Sequence, residues 1–468
     1  MKKSILLVIP FALLAFGCGR RNNTKDPSKT VTTKATATKE QPTTKEDPTP
    51  ITNKNIYVSY NGKATSDGSD ESNPTTLEHV LDPSSKILNS GDTIYLAKGK
   101  YIYNDTLQIN LSGNESKRNK LIALEGATFV FDSTQGDSKS NNGGLSITGS
   151  YWQIENITVI NSDNFGFDIT GKENKLINCT ADKNSNGGFG IKNTSVISLN
   201  NCVSTNNELE GYSARGFYIK GSGESIFFDS CVATNNQDSG FYVESSLAKK
   251  LYFNKCLSSD NGLKYSTSIY RSGFSFKNNQ HYFTDCIAYN NGLYGFLVST
   301  ATTEKGEYTL TNCSAINNHE KNYSLDTNRT TTVKVTNALS YNDYKNSDYK
   351  TATNDFLVGN VVNSLIFYSN SDEKGYFYIK SEKDFKKIDT TRETDTFSTY
   401  THKYKINMII PHEMEGDDGK IIYYKNNEIY LYDYLDRSID FQDEFFSKQT
   451  PSITNPTYFG ANINGDAN

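Results

Sequence analysis

The chain has 468 residues, 35% of them hydrophobic, and sets 48 Lys and Arg against 53 Asp and Glu for a net charge of −5. That apolar content suits a long, narrow core rather than several thick ones. The acidic balance excludes a generally basic nucleic-acid binder, while a local basic patch could still oppose the total.

Lys2 and Lys3 precede an apolar stretch from Ile5 to Phe16. At roughly a dozen residues it is too short to span a bilayer comfortably and reads as the h-region of a signal peptide. The stretch closes on Ala15-Phe16-Gly17-Cys18, which resembles a bacterial lipobox with Ala15 where Leu is usual. The resemblance implies that residues 1–18 carry the signal and that Cys18 is lipidated. Residues 19–54 follow with ten Thr, six Lys, four Pro and no aromatic residue, a composition that cannot bury enough surface to fold and reads as a tether. The expectation is a protein of the bacterial cell envelope, lipid-anchored and facing the outside or the periplasm, that touches the membrane only through its lipid.

A folded body is expected from residue 55. Ile56-Tyr57-Val58-Ser59-Tyr60-Asn61-Gly62 opens it, and Asn73 to Leu81 predicts a short helix with a capped start that would cover an exposed sheet end. Gly91-Asp92-Thr93-Ile94-Tyr95-Leu96 begins the next part, and a repeat then takes over. Cys179, Cys202, Cys231, Cys256, Cys286 and Cys313 each have a large apolar residue three positions before, a small residue two positions after, and Asn five positions after. Those asparagines are Asn184, Asn207, Asn236, Asn261, Asn291 and Asn318. An earlier copy is visible around Ile154 and Ile157, and a seventh keeps the frame with Val335, Ala338, Ser340 and Asp343.

Such registration is rewarded only where coils lie directly on one another. The apolar runs, such as Ser225-Ile226-Phe227-Phe228, are too short for helices and rich in strand formers, so the predicted fold is an all-β parallel β-helix over residues 55–370. Asn at the bend should adopt the left-handed conformation and bond its amide to the next coil. Stacked thiols in parallel register rarely meet disulfide torsions, so the six cysteines read as small buried hydrophobes. Residues 371–468, rich in Tyr, are expected to add further strands as a cap or extension.

A Gly-Phe pair recurs after the bends, six times from Gly166-Phe167 to Gly295-Phe296. With these Phe inward, alternation puts two lanes outward: Asp168, Gly190, Tyr218, Tyr242, Ser275, Leu297, and Thr170, Lys192, Lys220, Glu244, Lys277, Ser299. The Asn-to-Gly distance lengthens after Asn207 and Asn261, so the segments 208–215 and 262–272 should wall a groove at one corner and bring Arg215 and Arg271 beside the lysines. Tyr faces with Lys and Arg suit a polymer that has sugar rings to stack and carboxylates or sulfates to pair.

The opening Tyr57 to Gly62, the Gly91 to Leu96 turn, Gly149-Ser150-Tyr151-Trp152-Gln153-Ile154 and the Asn-Cys-x-Ala-x-x-Asn coils together resemble polysaccharide lyase family 9, pectate lyases built on a right-handed parallel β-helix, over about residues 56–370. The resemblance implies β-elimination on a uronic-acid polymer, with Ca²⁺ neutralising the uronate and a lysine removing the adjacent proton. The site departs from that pattern. Ala214-Arg215-Gly216-Phe217 carries Arg at a calcium-ligand position, Asp238-Ser239-Gly240-Phe241-Tyr242 keeps only its first acid, and Gly273-Phe274-Ser275 has Ser in place of the base. Ca²⁺ is implied by the resemblance, yet most of its ligand positions are lost, and one carboxylate does not satisfy an ion that takes roughly six to eight oxygens.

Two readings stay open. In one, the chain is a calcium-independent lyase in which Arg215 neutralises the uronate and Lys277 or Lys220 abstracts the proton, its pKa depressed by Arg215, Arg271 and Lys192. In the other, catalysis is gone and a surface protein binds an acidic polysaccharide through Lys192, Tyr218, Tyr242 and Arg271, as an adhesin or structural component. A monomer is expected, with no nucleic-acid partner and no metal. The five histidines are not spaced as metal ligands.

Overall fold

The computed structural model describes residues 53–131 and 143–342 apart from short loop segments, together with the backbone of strands between 360 and 459. The signal segment, almost all of the tether and Asp343 lie outside the described residues. Three walls of parallel strands wind around a single core. One coil illustrates the plan: Val196–Asn200 in the first wall, Val203–Thr205 in the second and Arg215–Lys220 in the third. The third wall holds nine strands, from Leu107–Ile109 to Lys321–Leu325, each paired in parallel with the same part of the coil before and after it.

Why the chain turns where it does is written in the residues around each Cys. Asn201 (φ 50°) precedes Cys202 and turns the chain from the first wall to the second, and Asn206 (φ 51°) precedes Asn207 and turns it toward the third. The left-handed residue is therefore the neighbour before the repeated Asn, not that Asn itself as the sequence suggested. The reason is that the repeated Asn points inward. From Asn184 to Asn318 each side chain is buried and donates to the next across the coils, Asn207 Nδ2 to Asn236 Oδ1 at 2.7 Å and Asn236 Nδ2 to Asn261 Oδ1 at 2.9 Å. Each Oδ1 also accepts a backbone N–H from the coil before it, as Asn261 Oδ1 does from Asn236 N at 3.0 Å. At the far end the ladder closes on Asn322, whose Oδ1 accepts from Asn318 at 2.8 Å. A turn of buried polar backbone is thereby satisfied in every coil.

Inside, Phe167, Phe189, Phe217, Phe241, Phe274 and Phe296 form one stack with centroid spacings of 4.6–4.9 Å. Phe228, Phe253 and Phe283 form a second at 4.9 and 4.7 Å, and the two meet edge to face. Each ring contributes about 2–3 kcal/mol by leaving water. The glycine before most of these Phe makes room for the Asn ladder, a Cβ at Gly166 lying 2.7 Å from Asn184 Nδ2, while at Gly188 it would meet Ser204 Oγ instead. The six cysteines are free and inaccessible to solvent, as expected of small apolar residues.

At the N-terminal end, Asn55–Val58 adds a parallel rung to Thr93–Leu96. The short helix is Leu77–Leu81, capped by Thr76 Oγ1 accepting from His79 N, with Leu77, Val80 and Leu81 buried on the core. Beyond residue 370, Gly375–Lys380 and Phe385–Ile388 continue from Ser364–Ser369 in antiparallel order, and Tyr404–Gly416 pairs with Gly419–Tyr430 as a long hairpin. No helix among the described residues is long and apolar enough to cross a membrane.

Candidate functional site

The inner outward lane of the third wall falls in register, as does the described part of its neighbour. Asp168 pairs with Gly190, Gly190 with Tyr218, Tyr218 with Tyr242, and Tyr242 with Ser275; in the neighbouring lane Lys192 pairs with Lys220. Lys192, Tyr218, Lys220, Tyr242 and Lys277 thus share one face, but Tyr242 is buried there, its ring covered by Arg215 and Lys277 rather than open to a ligand as the sequence suggested. The segment 262–272 reaches the same face through Tyr270, whose ring meets Tyr242 edge to face at 5.6 Å. Ser239 Oγ donates to the Tyr270 carbonyl and ties that segment to the coil below. On the other segment, Gln237 Oε1 accepts from Leu209 N at 3.0 Å and holds the corner closed.

Arg215 lies over this face, its guanidinium 4.0 Å from the Tyr242 ring centre and 5.3 Å from that of Tyr218. Its Nε is 3.3 Å from Asp238 Oδ2, and Asp238 is fully buried. Burial pushes the Asp238 carboxyl above the usual carboxylate range against the pull of Arg215. Arg271 is placed differently from the sequence expectation. Its Nη1 donates to the Gly262 carbonyl at 3.4 Å and its stem packs on Gly262, which turns the guanidinium to the corner rather than to the lysine lane.

The lysines are not equivalent. Lys192 Nζ sits 3.0 Å from Asp168 Oδ1 and 3.1 Å from Oδ2, and also 4.8 Å above the Phe165 ring. Lys220 Nζ pairs with Glu244 Oε2 at 3.2 Å, and Tyr218 donates its hydroxyl to the same oxygen. The Glu244 carboxyl is partly desolvated, but Tyr218 and Lys220 hold it below its ordinary value. Burial and Glu244 together drive the Tyr218 phenol well above its ordinary value. Among the described residues the partners of Lys277 are tyrosines: Nζ donates to Tyr242 Oη at 3.2 Å and lies 4.3 Å from the Tyr270 ring centre. Burial opposes its charge, yet the two tyrosines outweigh burial and raise its pKa. That direction is opposite to the depressed pKa expected of a general base, because Arg215 is spent on Asp238 and Arg271 points elsewhere.

The donor set does not suit Ca²⁺. Asp238, the one acid retained from the family pattern, faces the guanidinium of Arg215, and the nearby carboxylates Asp168 and Glu244 are each closed by a lysine. Two contributors escaped the sequence reading. Phe165 stacks on Tyr218 at 5.6 Å and 6°, over Gly190, where a Cβ would lie 2.8 Å from its ring; Tyr270 supplies the far wall. Alternation from the inward Phe167 would turn Phe165 inward as well; it faces the groove because Gly166 between them is turned to the Asn ladder, so strand alternation gave no signal for it.

A parallel solenoid with cations and aromatic rings lining one wall defines a class, the right-handed β-helix of polysaccharide-lyase type. The chain belongs to the family described as the Pel9A-like right-handed β-helix region, which matches residues 56–346. Among solved structures it is similar to pectate lyase Pel9A, at 23% identity and TM-score 0.55, covering 66% of this chain and 80% of that one. It is also similar to a rhamnogalacturonan lyase (18% identity, TM-score 0.49, 66% and 87% covered). An alginate lyase from Paenibacillus sp. str. FPU-7 matches at 14% identity and TM-score 0.41, with 66% and 97% covered. At these identities the likeness is one of fold. No curated protein matches the chain.

Proposed function

We propose that the third-wall groove binds an acidic polysaccharide, without strict pectate lysis. The observation that carries this reading is Lys277: an ammonium held protonated between Tyr242 and Tyr270, with no carboxylate partner among the described residues. A fixed cation beside aromatic rings can pair a sugar carboxylate while the sugar's apolar face packs on a ring. Membership of a lyase-type family supports a glycan as the ligand.

Elimination needs a group that can accept the proton next to the carboxylate. Lys277 is held protonated, Lys192 and Lys220 are closed by Asp168 and Glu244, and the Tyr218 phenol is driven upward, which favours binding over chemistry. Affinity electrophoresis of the protein through gels containing polygalacturonate, alginate or an uncharged glucan tests this. Retardation by acidic polymers only is expected, and equal migration in all gels would refute it. The ultraviolet absorbance of an unsaturated product, followed with and without Ca²⁺, is expected to stay flat; a rise would restore the lyase reading.

We further propose from residues 1–54 that the protein is exported and lipid-anchored through Cys18. Fatty-acid labelling of the expressed chain is expected, and its persistence in Cys18→Ala would refute the assignment.

A further inference from the structure

On the outer face of the first wall, Phe227, Tyr252 and Tyr282 are register partners on consecutive coils. Their rings stack at 4.9 and 5.1 Å, within 13° of parallel. They point outward because Phe228, Phe253 and Phe283 beside them take the core side. Phe227 is 40% exposed and the two tyrosines are half-buried, whereas the rings of the core stacks are sealed from solvent.

The lane continues in register at both ends. Ser198 precedes Phe227 and Thr309 follows Tyr282, so each end of the ladder meets a short side chain rather than another ring. One coil further out stand Lys175 and Lys334, both exposed. Neither has a carboxylate within ion-pair reach among the described residues, and the lane from Lys175 to Lys334 holds no acid. Acids nearby are kept to lanes of their own. Asp229 accepts from Asn200 at 2.9 Å and from Asn254 at 2.6 Å. Glu307 accepts from Gln280 at 3.2 Å, toward the coil before it and away from Lys334.

Stacking between coils accounts for the rings, but not for two unpaired cations closing an acid-free lane. An exposed ring surface packs the apolar face of a sugar, and an unpaired ammonium takes a carboxylate. The two lysines are six coil steps apart, about 29 Å at about 4.8 Å per step, which fits a stretch of polymer rather than a single sugar. The groove of the third wall lies on another side of the same coils, as Val196–Asn200 and Arg215–Lys220 show, with the core between them. A polymer lying along the first wall therefore leaves the groove open to a second one.

We infer that the first wall is a second binding surface for an acidic polysaccharide, centred on Phe227, Tyr252 and Tyr282 with Lys175 and Lys334 at its ends, and that one molecule thereby holds two polymer segments and cross-links them. The inference rests on the acidic-polysaccharide reading for the class of ligand and for the second segment. The first-wall surface itself uses none of the groove's residues.

Hydroxyl-radical footprinting of the full chain with polygalacturonate or alginate reads the first wall directly. Near the Kd, oxidation of Phe227, Tyr252 and Tyr282 is expected to fall about twofold, with no change in an uncharged glucan. Light scattering of the same mixtures should rise at intermediate ratios of protein to polymer and fall again in excess protein, as cross-linking requires. Lys175→Gln combined with Lys334→Gln, checked for an unchanged melting temperature, should abolish both effects and keep the gel retardation that the third wall provides. Lys63→Gln combined with Lys100→Gln removes the same charge elsewhere and should keep both effects. A polymer that retards the wild type without protecting the ladder, or without raising the scattering, overturns the inference and leaves the acidic-polysaccharide reading standing. So does a lane variant that behaves as wild type, or a control variant that loses as much. Loss of all retardation in the lane variant would put every contact on the first wall and overturn the cross-linking. Absence of retardation by every acidic polymer overturns the earlier reading, and this one with it.

Discussion

Arg215 Nε lies 3.3 Å from Asp238 Oδ2, with the carboxylate sealed beneath the groove and the guanidinium spread over Tyr242. Removing only the cation strands a buried charge, which typically costs about 3–5 kcal/mol. Arg215→Ala should therefore lower stability by about 3 kcal/mol at neutral pH in chemical denaturation, and Asp238→Asn should cost less than half as much. The pH dependence follows from the raised Asp238 value. Between the unfolded and folded pKa the folded chain holds more protons, so this group's contribution falls as pH rises through that window. The loss in Arg215→Ala should accordingly shrink on acidification, and the pH slope assigned to Asp238 should vanish in Asp238→Asn.

The asparagine ladder predicts a position-dependent penalty. Asn236 donates to Asn261 Oδ1 and to the Ser204 carbonyl at 3.0 Å, and accepts from Asn207. Asn236→Ala leaves several buried groups without partners, each worth about 1–3 kcal/mol. A loss above about 2 kcal/mol is expected by urea denaturation, against under about 0.5 kcal/mol for Asn254→Ala on the outer face. Equal effects at the two positions would show that the ladder contributes nothing special.

Gly190 tests the floor of the groove. Any Cβ there meets the Phe165 ring at 2.8 Å, so Gly190→Ala should displace Phe165 from Tyr218 and cost about 1–3 kcal/mol. Combining it with Phe165→Ala should give less than the sum of the two losses, since the clash has gone. Strict additivity in a double-mutant cycle would contradict the contact.

The thiols of Cys179, Cys202, Cys231, Cys256 and Cys286 are pushed up strongly by burial, and all six cysteines of the coils are unbridged. The thiolate is the reactive form. Titration of residues 53–468 with a thiol reagent should find none in the native state and six after denaturation without reductant. Fewer than six would reveal disulfides, and native reactivity would place a thiol at the surface.

Lys277→Gln keeps the size of the side chain and removes the charge. Charge-assisted hydrogen bonds contribute about 1.5–3 kcal/mol, so affinity for the best acidic polymer should fall roughly tenfold or more, with little change in melting temperature. The salt dependence of binding should flatten in the same variant. Unaltered affinity would move the binding site off the third wall.

Much of this molecule was legible from the spacing of Cys and Asn alone. Stacking turns that spacing into lanes, and Lys192, Lys220, Tyr218 and Tyr242 fall on the face where alternation puts them. The inward direction of the repeated Asn was not legible, because the same residue type suits both a left-handed bend and a buried ladder. Nor was the direction of Arg271, whose neighbour Tyr270 faces the groove while the guanidinium goes to Gly262.

By itself the sequence determined which residues become neighbours, since a coil that repeats its residue types can satisfy them only by lying in register on the next. Only the tertiary structure decided which charges remain available. Whether a lysine is free or closed by a carboxylate depends on side-chain reach of a few ångströms across the coils, and Asp168, Glu244 and Asp238 settle that for Lys192, Lys220 and Arg215 while leaving Lys277 to its tyrosines.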